Sequence, residues 1–270
     1  MAEGYRRTIF INNNMKAVII FLIVNITLFA QFEINAFVPF GLNGSFSSIK
    51  LSNPNRTYQS IKGDIGGELG VIAQLGYNMK LNKDIPIKSI SFLLETGYYL
   101  NANTITYDYP YAESYNYFEM SETVIMNNIL IGFNPKINFR NFSLGIGVGM
   151  KIPLSADVLE KSNDKGETMK ENTIFEGSLM YQDKKHWNYD VIKKLYKESV
   201  SPYIKINFEG LYYFTDKLAF LYGAYIAYDF SMPYNTDNIQ IVDKTLIKSY
   251  QLSYLSFMFY LGVSFGRNNN

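Results

Sequence analysis

Apolar and polar residues alternate with period two along most of the chain. In the segment Ile61 to Leu81 one parity reads Ile61, Gly63, Ile65, Gly67, Leu69, Val71, Ala73, Leu75, Tyr77, Met79 and Leu81. The other reads Lys62, Asp64, Gly66, Glu68, Gly70, Ile72, Gln74, Gly76, Asn78 and Lys80. Period two sends the two sets to opposite faces of a strand. A helix here would hold several interior glycines, each costing about 1 kcal/mol relative to alanine. Soluble strands average about 5 to 6 residues, whereas a tilted strand needs roughly 9 to 11 to cross hydrocarbon. The strip is long enough to span a bilayer and project beyond it.

Equivalent strips recur at Phe32 to Leu42, Ile90 to Ala102, Phe142 to Leu154, Tyr203 to Phe214, Leu218 to Phe230 and Leu255 to Phe265. Between Thr123 and Ile137 the apolar face Ile125, Ile129, Ile131, Phe133, Ile137 is broken by Asn127, and a bulge near Asn127 and Asn128 restores the phase. The count is about eight strands. Their connections alternate: Asn82 to Pro86, Asn138 to Asn141 and Thr215 to Lys217 are tight, while Asn43 to Ser60, Asn103 to Ser121, Ser155 to Ser201 and Ser231 to Tyr250 are long. Short turns at one end and long loops at the other are the habit of membrane barrels.

Composition sharpens this picture. The chain has 23 Tyr and 20 Phe against one Trp, and its rings gather at strand ends. Tyr77, Phe139, Phe142, Tyr212, Tyr213, Phe214 and Phe265 lie by the short turns, and Tyr98, Tyr99, Tyr107 and Tyr228 by the long loops. Two girdles at headgroup level are expected. A formal charge of +1 supplies no field for nucleic acid. The absence of cysteine removes disulfides, thiolate metal sites and a cysteine nucleophile. At the N-terminus, Met15 and Lys16 precede an apolar run, Ala17 to Ala30, too short for a spanning helix and suited to a secretory signal. Residues 1–30 are thus expected to be an upstream extension and signal peptide, and 31–270 a single barrel domain with long extracellular loops.

From about Gln31 to Phe265 the chain resembles the small eight-stranded outer-membrane barrels of the OmpA and OmpX type. The piece that carries a motif is the last strand, whose Phe259, Leu261, Val263 and Phe265 resemble the aromatic-ended signal read by the outer-membrane insertion machinery; Gly266 to Asn270 run past it. The fold class expected is all-β, an antiparallel up-and-down transmembrane β-barrel. Its expected partners are outer-membrane lipids, the barrel-assembly machinery during insertion and an extracellular partner reached through the loops.

Eight strands enclose an interior just filled by side chains. The inward parity offers Lys62, Asp64, Glu68, Lys80, Glu95, Lys136, Lys151, Lys205, Glu209 and Asp229. Buried charges of both signs must pair, so an internal salt-bridge network is expected in place of an open channel. Inward Gly66, Gly70, Gly145, Gly147 and Gly149 leave room for water.

Candidate chemistry is sparse. The sole histidine, His186, lies in the longest loop with Asp183, Trp187, Asp190, Ser178 and Ser199. Some small barrels are lipid-modifying enzymes using His with Ser or an acid, but those residues sit on strands, and a solvated loop histidine is the better reading. Asp157 to Glu171 is acidic without EF-hand spacing. Asn188 to Val200 places Val191, Leu195 and Tyr196 at helical spacing, suggesting a short helix over the barrel mouth or at the headgroups. A short hairpin could occupy Ile174 to Tyr181. Tyr107, Tyr109, Tyr111, Tyr115, Tyr117 and Phe118 make one loop rich in rings that cap the barrel or meet a partner. No catalytic, cofactor or metal residues are assigned. A non-enzymatic structural or surface-interaction role is the leading expectation, and a narrow channel or a barrel for small or hydrophobic molecules the alternative.

Overall fold

The computed structural model describes residues 30–51, 60–81, 85–110, 117–162, 186–230, 232–233, 235 and 247–266. In chain order they form β1 (Ala30–Leu51), β2 (Ser60–Gly63), β3 (Ile65–Lys80), β4 (Ser89–Pro110), β5 (Tyr117–Asn138), β6 (Phe142–Ser162), β7 (His186–Asn188), helix α1 (Tyr189–Leu195), β8 (Ser201–Tyr213), β9 (Leu218–Asp229) and β10 (Ile247–Phe265). β2 and β3 are one stave interrupted at Asp64, and both pair with β4. β7 is a short addition to the edge of β6.

Eight staves close antiparallel into a ring, β1 meeting β10 along nearly its whole length. Closure leaves no edge at membrane depth, where unpaired backbone groups would each cost several kcal/mol. Stepping between partners from Ile34 passes Leu75, Leu94, Phe133, Val148, Ile204, Tyr228 and Leu255 and returns to Gly44 of β1. One circuit thus climbs about ten residues, the stagger of a barrel whose strands tilt by about 40°.

The outward parity is apolar on every stave. Ile146, Ile206, Leu94, Val71 and Ile226 are all more than half exposed although no water-soluble protein would leave so many aliphatic side chains uncovered. On β6 this face runs unbroken from Phe142 to Leu154, a height of roughly 30 Å at that tilt, enough for a hydrocarbon core. Aromatic rings mark its limits. Phe139 stacks on Phe142, Phe32 meets Tyr77 and Tyr212 meets Phe214 at the turn end, and Tyr228 meets Phe230 at the loop end. At the loop-end rim the outer face turns polar, with the Tyr98 hydroxyl bonded to Asn127 and Asn127 to Ser155.

Several expectations change here. Tyr99 is no girdle residue: it points inward and is buried. A register shift lies between Asn127 and Asn128 against β6, but its extra residue is Leu154 of β6; β5 keeps its alternation unbroken and Asn127 faces outward in phase, so no re-phasing of that strip is needed. The long links are shorter than expected, because β1, β4, β5, β6 and β10 continue as paired strands beyond the belt. Past Ala102 and Ile125 the β4–β5 hairpin runs on to Pro110 and Tyr117, roughly 20 Å further. The hairpin expected at Ile174 to Tyr181, the signal segment and the rings of residues 107–118 lie outside the described residues or side chains.

The inward glycines do not make room for water. Each is a seat for a long side chain of a neighbouring stave. An added Cβ at Gly147 would lie 2.7 Å from Lys205 Cε, at Gly145 2.6 Å from Asn207 Oδ1, and at Gly70 2.6 Å from the Tyr99 ring. At Gly149 it would meet the Ile131 carbonyl at 2.4 Å and the Tyr203 hydroxyl at 2.7 Å. Gly149→Val is therefore expected to overpack the lumen and destabilise the barrel by about 1–3 kcal/mol, read as a lower urea midpoint in micelles. An unchanged midpoint would show that the seat is not tight.

Candidate functional site

The lumen is the one place where chemistry converges, and its wall positions each group by parity. At the turn end Glu33 accepts from Asn35 Nδ2 at 3.1 Å, Asn78 Nδ2 at 3.3 Å and Ser91 Oγ at 2.6 Å. Asn138 donates to Ser89 at 3.0 Å and to Ser91 at 2.7 Å. Through Asn35 this group joins Gln74, at 3.1 Å.

At mid-height Glu95 of β4 is the hub. It takes Gln74 Nε2 at 2.8 Å, the Tyr203 hydroxyl at 2.6 Å and Lys205 Nζ at 2.7 Å. Lys136 of β5 donates to Glu209 of β8 at 2.7 Å and to Gln74 Oε1 at 2.7 Å. Two ion pairs therefore cross the lumen between staves that are not neighbours in the wall. Nearer the loops, Lys151 donates to Asp229 at 2.5 Å and lies 3.9 Å from Glu68, with its Nζ 4.3 Å above the Tyr99 ring. Glu68 also accepts from Tyr99 at 2.5 Å, Ser256 at 2.9 Å and Asn43 at 3.1 Å. Buried apolar and aromatic side chains, including Ile72, Leu221, Met258 and Tyr260, fill the space beside these networks.

At the loop end of β6 lies a short helical segment with a buried apolar side. Asn188 accepts from the Val191 amide at 3.0 Å and starts α1 as an N-cap. The helix buries Ile192 and Leu195, and Trp187, Tyr196, Met232 and Leu252 are buried with them. The segment is tied to the last long loop by the Lys197 amide on the Pro233 carbonyl at 2.8 Å and the Asn235 amide on the Leu195 carbonyl at 2.7 Å. The short helix suggested by the spacing at 188–200 is present in a shorter form, packed against β6 and β7 at the loop end, with Ile192 rather than Val191 on its buried face.

Of the charges expected inside, Glu68, Glu95, Lys136, Lys151, Lys205, Glu209 and Asp229 are buried there. Asp64 and Lys80 are exposed, since Asp64 occupies the break between β2 and β3 and Lys80 the end of its strand. The Lys62 side chain lies outside the described set. The expectation omitted Glu33, which is fully buried; its place on the polar parity of the first strip was the available signal. Asp183 lies outside the described residues, and His186 has no bond to Asp190. It is half-exposed and pairs across β6–β7 with Asp157, Nδ1 to Oδ1 at 2.6 Å, and among the described residues no serine hydroxyl bonds to it.

A groove of about 430 Å³ lies on the outer wall, over Ala224 and Ile226 and between Ile206, Phe208, Leu255 and Phe257. It opens to the apolar belt and not to the lumen. No group of three or more His, Cys, Asp or Glu suited to a metal occurs among the described residues, and no described helix is long and apolar enough to cross a membrane, which leaves strand crossing untouched.

No protein-family model and no curated protein matches the chain. Among solved structures it is similar to the outer membrane protein OprG of Pseudomonas aeruginosa, at 10% identity and a TM-score of 0.37, covering 88% of this chain and 96% of that one. It is also similar to the outer membrane protease OmpT of Escherichia coli, at 8% identity and a TM-score of 0.40 over 87% and 96% of the two chains. A third is Ail, the attachment invasion locus protein of Yersinia pestis, solved with the heparin analogue sucrose octasulfate, at 11% identity and 0.33 over 87% and 99%. By its own closed ring of eight antiparallel staves, apolar outside and polar within, this chain has the fold of the small eight-stranded outer-membrane barrels.

Proposed function

We propose that the protein is a closed, non-catalytic surface barrel: a lipid-embedded cylinder that holds extended β-hairpins and a short helical segment out toward the environment. The observation that carries this reading is the filled lumen, crossed by Lys136–Glu209 and Lys205–Glu95, with the apolar Trp187, Ile192 and Leu195 buried at its loop end. A pore would need a continuous aqueous path, and buried, paired charges are a poor one. Strands that stay paired well past the belt make a stiff platform, and stiff loops lose less entropy when a partner binds. In this reading the signal segment exports the chain, the strand ending at Phe265 engages the insertion machinery, membrane lipids cover the belt and the loop end meets an extracellular partner.

Planar-bilayer recording on the purified barrel tests the closed state. The expected result is no resolved conductance steps, with steps appearing when the loop-end packing is opened by Trp187→Ala together with Ile192→Ser. Regular steps from the unaltered protein would favour the narrow-channel alternative and set this reading aside.

A further inference from the structure

The turn end of the barrel is basic. Its exposed cations among the described residues are Lys80 at the end of β3, Lys88 before β4, Arg140 between β5 and β6, and Lys217 between β8 and β9, against one exposed acid, Asp216. Lys83 and Asp84, between Lys80 and Lys88 in the sequence, cancel in formal charge. This excess stands in a chain whose whole formal charge is +1. At the loop end the exposed charges among the described side chains are balanced, Asp64, Asp190 and Glu198 beside Lys193, Lys194 and Lys197.

Strand pairing gathers three of the turn-end cations on one arc. Lys80 is registered with Ser89, the residue after Lys88. The Lys88 amide donates to the Asn138 carbonyl at 2.8 Å, and Arg140 follows two residues later. Neighbouring staves lie about 5 Å apart, so these three backbone positions span roughly 15 Å of rim. Among the described residues no ion pair joins Lys80 or Arg140 to an acid.

Their height matters as much as their number. Arg140 adjoins Phe139, whose ring stacks on Phe142 with centroids 4.4 Å apart, and Lys80 lies just beyond Tyr77, the ring partner of Phe32. Such rings sit at headgroup level. Cations immediately past them, on flexible stems, stand among lipid phosphates. An anionic headgroup there gains attraction from the whole arc without needing a shaped pocket.

We infer that the arc of Lys80, Lys88 and Arg140 selects anionic phospholipid headgroups, such as phosphatidylglycerol, over zwitterionic ones in the leaflet at the turn end. This rests on the lipid-embedded reading of the belt and adds to it a preference for one class of lipid.

The test is electron paramagnetic resonance of spin-labelled lipids around the full chain folded into phosphatidylcholine bilayers, comparing labelled phosphatidylglycerol with labelled phosphatidylcholine. Lipid held against the barrel gives a motionally restricted component. In the unaltered protein that component should favour phosphatidylglycerol about fivefold at low salt, the preference one lysine or arginine confers at a charged surface, and about 0.5 M NaCl should bring it close to unity. Lys80→Gln with Lys88→Gln and Arg140→Gln should abolish the preference, while Lys193→Gln with Lys197→Gln at the loop end should leave it in place. Equal association of the two labels with the unaltered protein would overturn the proposal, as would a preference that survives the triple substitution or falls with the loop-end pair instead. If the triple variant does not fold, Arg140→Gln alone, in a turn outside the strands, decides: a lower preference supports the proposal and an unchanged one overturns it. A restricted component for neither label would remove the lipid-embedded reading itself, and the proposal with it.

Discussion

Glu95→Leu is expected to lower the unfolding free energy of the barrel by about 3–5 kcal/mol, because it strands a buried ammonium group. Glu95 accepts from Lys205, Tyr203 and Gln74 at once, and no other described carboxylate bonds to Lys205 Nζ. With Glu95 gone, Lys205 Nζ is left with the rings of Tyr225 and Tyr203, 5.0 and 6.0 Å away, which offset only a small part of the loss. Equilibrium urea unfolding in lipid or micelles measures the effect. The double variant Glu95→Leu with Lys205→Met should recover most of it, since an apolar pair of similar volume is often neutral or better. A loss below about 1 kcal/mol in the single variant would mean that water enters the lumen freely, and the closed-barrel reading would go with it.

The second large effect is on the other face. Ile206 is 63% exposed, in the middle of β8 between Ile146 and Ile226. On a water-soluble protein Ile206→Arg would change stability by roughly 0.5 kcal/mol or less. In a bilayer the same change should cost about 2–4 kcal/mol, and Leu154→Arg at the loop-end rim about 0–1 kcal/mol. Unfolding titrations from phospholipid vesicles would show this dependence on depth. Equal, small effects at both positions would contradict a membrane-facing belt.

These two substitutions separate what each face of the wall does. The outer face follows from chain chemistry alone: an apolar residue at every second position can face lipid without any particular neighbour. The inner face is a set of mutual arrangements, in which Gly147 lies under the Lys205 stem and Gly149 beside the Tyr203 hydroxyl because β6 and β8 are paired in one register. Shifting that register by one residue would send Lys205 into the belt.

The legibility of the sequence follows the same division. Strand parity along Ile65 to Lys80 and Phe142 to Leu154 depends on neighbours along the chain and is present in the structure; Asn127 read as a phase break only because a polar residue at the rim can face outward without leaving the strand's parity. The charged set was legible as a list but not as pairs. Lys136 meets Glu209 and Lys205 meets Glu95 across 73 and 110 residues of chain, a choice made by the circumference of the closed ring. Tyr99 carried a girdle signal because it follows Tyr98, yet parity turns it inward, where Glu68 and Tyr225 hold its hydroxyl. Glu33 was passed over in the sequence although it shares the polar parity of the first strip, and its place became visible only where Asn35, Asn78 and Ser91 gather around it. That the chain forms long, membrane-facing antiparallel strands is legible along its length, because a two-residue period is a local property. Which charges pair, which side chains lie over the inward glycines and how α1 packs at the loop end belong to the closed ring, because they depend on which staves face one another across the lumen.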